Sequence, residues 1–129
     1  MEVTRGDILR GRGKFAEAAD AYRGASRGLA RVLGSQTHEN VIRVRGLLAE
    51  ALLNSGQFKE AESEARDVLE VARTEGMGLV GGALHDVLAR LFEKMDRIDE
   101  AVEQRRQVVS AYQENFGEKH SSTWQMRMG

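Results

Sequence analysis

Three stretches decide the reading of this chain: Gly13-Lys14-Phe15-Ala16-Glu17-Ala18, Gly56-Gln57-Phe58-Lys59-Glu60-Ala61 and Asp96-Arg97-Ile98-Asp99-Glu100-Ala101. They are variants of one phrase, recurring 43 and then 40 residues apart. A recurrence at that period signals stacked copies of one supersecondary unit. Working outward from each phrase, the apolar residues step by three or four. Phe15, Ala18, Tyr22, Ala25, Leu29 and Val32 form one stripe, and Phe58, Ala61, Ala65, Val68 and Ala72 form a second. Ile98, Ala101, Arg105, Val108 and Tyr112 form a third, in which Arg105 is expected to bury its methylenes and keep its guanidinium in water. Such spacing makes an amphipathic helix. Each phrase is therefore the turn that starts the second helix of a pair.

The first helices precede the turns. Val41, Val44, Leu48 and Leu52 mark one, and Leu84, Val87, Leu88, Leu91 and Met95 mark the next. Leu48-Ala49 and Leu88-Ala89 each begin eight residues before their turn residue, where a small Ala lets paired helices approach. Gly-containing connectors at 33–37, 75–78 and 116–119 suit helix C-caps, with nearby Ser or Thr as N-caps. Gly81-Gly82 predicts a helix start that is frayed or tightly packed. The expected architecture is all-α, with about seven helices near 2–11, 14–33, 39–55, 58–75, 79–95, 98–116 and 121–128. The repeats span about 1–35, 36–76 and 77–117, with a partial unit at 118–129. All lie in one repeat domain, 1–129, that reads as part of a longer array.

Composition bounds the function. The chain of 129 residues is 41% hydrophobic, 30% charged and 5% aromatic, and lacks both Pro and Cys. Without Cys there is no disulfide framework or thiolate metal site, which fits a cytoplasmic protein. The start, Met1-Glu2-Val3-Thr4-Arg5-Gly6-Asp7, lacks the apolar core of a signal peptide, and no apolar run reaches the roughly 20 residues that cross a bilayer. Nineteen basic and twenty acidic residues leave a net charge of −1. That balance disfavours a nucleic-acid partner.

The phrase Gly-x-Phe-x-Glu-Ala, with Leu-Ala before it, resembles the tetratricopeptide repeat. The spacing is similar to the variety of about 42 residues seen in kinesin light chains and many bacterial regulators, longer than the common 34. Leu33-Gly34-Ser35-Gln36-Thr37-His38-Glu39 and Phe116-Gly117-Glu118-Lys119-His120-Ser121 resemble that variety's Leu-Gly-x-x-His-Pro connector, with Glu39 and Ser121 in place of Pro. The resemblance implies a right-handed superhelix, an α-solenoid of antiparallel helix pairs. Its first helices would line a concave groove that receives a peptide or helix of a partner protein.

Carried over position by position, the resemblance places Asp7, Arg10, Arg43, Gly46, Glu50, Asn54, Ala83, Asp86, Arg90 and Lys94 on the groove wall. The Asn-Asn pair that grips peptide backbones in this subclass is replaced by Gly46-Leu47 and Asp86-Val87. The arginines suggest an acidic side chain or C-terminal carboxylate as the ligand. Against this stands a plain solvated face with i,i+4 pairs such as Asp86–Arg90.

Enzymatic chemistry has little to stand on. His38 and His120 occupy equivalent connectors, and His38-Glu39 lacks the second His of a zinc-protease motif. Glu17, Glu60 and Glu100 recur with the repeat and so belong to the hairpin. Gly11-Arg12-Gly13-Lys14 lacks the spacing of a phosphate loop. Arg5, Arg10, Arg12 and Lys14 read as solvated surface. The expectation is a non-enzymatic interaction module without cofactor or metal, binding a protein partner and neither nucleic acid nor membrane. The alternative is a spacer or sensor segment of a larger regulator, such as a signalling ATPase. It would act through its ends, where apolar faces, including Trp124, favour self-association.

Overall fold

A computed structural model describes residues 2–110 and 113. These residues are helical throughout, with no strand among them: α1 (Glu2–Gly11), α2 (Phe15–Leu33), α3 (Glu39–Asn54), α4 (Phe58–Thr74), α5 (Gly78–Lys94) and α6 (residues 98–110). The expected seventh helix, the end of the sixth, and Tyr112, His120 and Trp124 lie outside the described residues.

The repeated phrase has a backbone cause. Gly13, Gly56 and Asp96 sit in the left-handed region, at φ 77°, 83° and 59°. Gly adopts that conformation without steric cost, and Asp is among the few other residues that tolerate it. Three-residue turns there join α1 to α2, α3 to α4 and α5 to α6, so the members of each pair run antiparallel. Gly76 (φ 72°) makes the same kind of turn between α4 and α5. The α2–α3 connector is longer. Gly34 caps α2 in the left-handed conformation, and His38, not Thr37 or Ser35, caps α3: its Nδ1 accepts the Asn40 N–H at 3.1 Å.

Helices adjacent in sequence pack together from α1 to α5, and α3 also packs on α5. Tyr22, Ile42, Leu52, Leu53, Val68, Leu84, Leu88, Leu91 and Phe92 are fully buried in one core. Each such side chain contributes on the order of 1.5–3 kcal/mol. Ala49 and Ala89 are fully covered, as expected of small residues between paired helices. Gly6 serves the same end in the first pair, because a Cβ there would lie 2.6 Å from the Tyr22 ring. Gly81 and Gly82 are buried inside α5, whose start is packed against α4 near Leu69 and is not frayed.

Two stripes depart from expectation at their ends. Val32 is exposed. On α6 only Ala101 is buried, while Ile98, Val102 and Val109 face solvent. Earlier second helices lie between their own partner and the helix that follows. Among the described residues α6 has no following helix against it. Arg105 does not snorkel over the core. It bridges Asp86 and Glu93 of α5, at 2.8 and 2.5 Å.

Hairpins two and three carry one tie at matching positions. Arg45 Nε donates to Glu64 Oε1 at 2.7 Å, across 19 residues. His85 Nδ1 and Gln104 Oε1 meet at 2.6 Å across the same 19, which requires the proton on Nδ1. A guanidinium–carboxylate link in one unit is thus an imidazole–amide one in the next.

Candidate partner-binding face

α3 and α5 leave a cavity of about 760 Å³ between them. Its apolar lining is Leu47 from α3, Val80, Ala83, Leu84 and Val87 from α5, and Val108 from α6. Gly46 and Gly82 complete it, and a Cβ on Gly46 would meet nothing within 4 Å. The space therefore exists because small residues stand where bulkier ones would fill it. Its volume falls in the usual range for binding pockets. Arg43, Glu50 and Asp86 supply the charged rim.

Of the charged and polar residues expected on the groove wall, the structure brings Arg43, Glu50 and Asp86 to this cavity, with Gly46 and Ala83 beside them. Arg90 stands behind the rim. Asp7 and Arg10 belong to α1 and do not line it. Asn54 and Lys94 are exposed near the ends of α3 and α5, away from the lining.

A ladder of alternating charges runs past the cavity. Arg10 lies 3.7 Å from Asp7 and 3.8 Å from Glu50. Arg90 reaches Glu50 at 3.1 Å and Asp86 at 3.2 Å, and Arg105 reaches Asp86 and Glu93. Asp7, Glu50 and Arg90 each stand six residues before their turn residue. Arg10, one helical turn along from Asp7, bridges the first two, which are like charges.

Asp7 is further engaged, accepting a 2.6 Å hydrogen bond from the buried Tyr22 hydroxyl. Burial, and then this bond, hold the Tyr22 pKa well above its ordinary value. Arg90 Nε is buried and close to Asp86 Oδ2, yet off the line of a hydrogen bond, so it is charge-paired without donating. Arg43 differs from Arg10, Arg90 and Arg105 of the ladder. Its side chain is 64% exposed, and its ion pair is with Glu39 on its own helix.

Contributors from other elements escaped the sequence reading. Val108 comes from α6, and no periodicity on α3 or α5 points to it. Tyr22 as the partner of Asp7 was hidden because Tyr22 reads simply as a member of the apolar stripe. Leu84 and Val87 were legible as members of an apolar helix stripe, though not as an open lining, and Leu47 and Val80 lie off the stripes read from the sequence.

Elsewhere Arg97 joins hairpins. It bonds Glu62 of α4 and Glu100 of α6, while its guanidinium stacks 4.4 Å from the Phe92 ring centre. Glu60 pairs with Arg23 of α2. Glu60 and Glu100 thus serve different links.

Among the described residues no cluster of three or more potential ligands could hold a metal ion, and no helix is long and apolar enough to cross a membrane. No family model matches the chain, and neither a curated protein nor a solved structure matches it.

Proposed function

We propose that this chain is a non-enzymatic protein–protein interaction module, a tetratricopeptide-like α-solenoid that receives a peptide or helix of a partner between its first helices. The observation that carries the reading is the 760 Å³ cavity between α3 and α5, apolar within and charged at its rim. Helical partners and extended segments both dock apolar side chains into grooves of this kind. The left-handed turns recurring at Gly13, Gly56 and Asp96 support stacked copies of one helical hairpin.

Gly46→Leu tests the reading, because it projects an apolar side chain into the cavity from a position where a Cβ has nothing within 4 Å. Purified chain and variant are compared as bait, with captured partners then titrated directly. A partner bound by the first and released by the second places function at the cavity. Equal binding by both removes the reading.

A second reading, a structural segment acting through its ends, is favoured by one observation. Ile98, Val102 and Val109 are exposed together along α6. Self-association through that face predicts a mass that rises with concentration in light scattering and falls back in Val102→Glu. A constant monomer mass eliminates it.

A further inference from the structure

The chemistry of the partner follows from which charges at the cavity already have partners, and this step rests on the binding reading above. Arg10, Arg90 and Arg105 are each held by carboxylates of the chain itself. The ladder contains Asp7, Glu50, Asp86 and Glu93 against those three, one more carboxylate than guanidinium. A purely acidic ligand would therefore have to displace internal carboxylates to reach them. Arg43, the cation of the rim, is 64% exposed and is tied only to Glu39 within its own helix.

The rim carboxylates have capacity to spare. Glu50 Oε1 faces Arg10 at 3.8 Å, beyond hydrogen-bond range, and Asp86 Oδ2 receives no hydrogen bond from the Arg90 Nε beside it. The rim is thus polar in a directional sense. An available cation stands at the Arg43 end. Acceptors stand at Asp86 and at Glu50, the latter two helical turns, or about 10 Å, along α3. Between them lies the apolar lining.

We infer that the cavity takes a partner segment with a bulky apolar side chain flanked on opposite sides by one carboxylate and one ammonium or guanidinium. The carboxylate seats on Arg43 and the cation on Glu50 and Asp86. In an extended segment, rising about 3.3 Å per residue with side chains alternating between faces, charges on the cavity side four residues apart lie about 13 Å apart, a span that the long Arg43, Glu50 and ligand side chains close. The chain direction of the partner is free, since either order of charges fits by turning the segment round.

Four blocked twelve-residue peptides test this by fluorescence polarisation. Each carries a Leu in a Gly-Ser context, flanked two residues away on either side by Glu and Lys, by two Glu, by two Lys, or by two Gln. The Glu/Lys peptide should bind about three- to tenfold more tightly than the Gln/Gln peptide at low salt. That advantage should fade in 0.5 M NaCl, where the screening length is roughly 4 Å. Arg43→Glu should shift the preference to the Lys/Lys peptide, and Gly46→Leu should abolish binding of all four.

Equal binding of the four peptides, lost in Gly46→Leu, would overturn the charge assignment and leave the apolar site standing. A preference for Glu/Glu or Lys/Lys in the unmodified chain would overturn it too. No binding of any peptide, with circular dichroism showing the chain folded, would remove both the assignment and the reading beneath it.

Discussion

Arg90 Nη2 lies 3.1 Å from Glu50 Oε2, and the two residues are 40 positions apart, one full repeat. The same register position in consecutive hairpins thus carries opposite charges that meet across α3 and α5. Like charges there would repel along the array. Asp7 and Glu50 show this case, and Arg10 stands between them.

Both partners of the Arg90–Glu50 pair are about one-third exposed, so solvent screens it. A double-mutant cycle with Glu50→Ala and Arg90→Ala should return a coupling of about 0.5–1 kcal/mol in urea denaturation. The coupling should shrink in high salt. A coupling of zero at low salt would show that the pair contributes no stability.

Two glycines within helices should respond in opposite ways to the same substitution. Gly6→Ala puts a Cβ 2.6 Å from the buried Tyr22 ring and should destabilise by about 1–3 kcal/mol. Gly28→Ala meets nothing within 4 Å and should stabilise by about 0.5–1 kcal/mol through helix propensity. Thermal melts of the two proteins check both signs.

Asp96 holds the left-handed position that Gly occupies in the other two copies of the phrase. Asp96→Gly should raise stability by about 0.5–1 kcal/mol by relieving the Cβ clash. Gly56→Ala should lower it by a similar amount or more. Chemical denaturation midpoints compare the pair.

Acid should loosen the contact between α4 and the α5–α6 turn. Burial alone would raise the Glu62 pKa, but hydrogen bonds from Arg97 and Arg66 outweigh it and hold the group below its ordinary value. Glu100 is held low chiefly by the Arg97 hydrogen bond. A carboxylate whose folded pKa is depressed adds stability that is fully present above its unfolded value, roughly 4.3. That stability is lost as pH falls through the folded pKa. Urea midpoints should therefore drop below about pH 4.3, with a shallower drop in Glu62→Gln. An identical pH profile for that variant would remove Glu62 from the cause.

Tyr22→Phe keeps the ring in its pocket and removes the hydroxyl that Asp7 accepts. The loss should be about 1 kcal/mol in urea denaturation, and Asp7→Asn should lose less, because the amide oxygen still accepts. A larger loss in Asp7→Asn would mean that the carboxylate matters more to Arg10 than to Tyr22.

By itself the sequence determined the positions of the helices and the turns between them. Those features are local: a left-handed residue at 13, 56 and 96, and apolar side chains every three or four positions after it. Helical spacing also put Arg43, Gly46 and Glu50 on one face of α3, while the expectation that Asp86 of α5 joins them came from the family resemblance and not from spacing. Only the tertiary structure decided what those residues meet. Arg105 follows a stripe in sequence, yet it leaves the core because Asp86 and Glu93 present carboxylates across the α5–α6 turn. Asp7 faces Tyr22 because Gly6 lets α1 settle onto that ring. Val108 reaches the cavity only through the docking of α6 on α5. A period specifies which residues share a face. The partner of a charge, and whether a gap between helices is filled or left open, depend on the rotation and approach of separate helices.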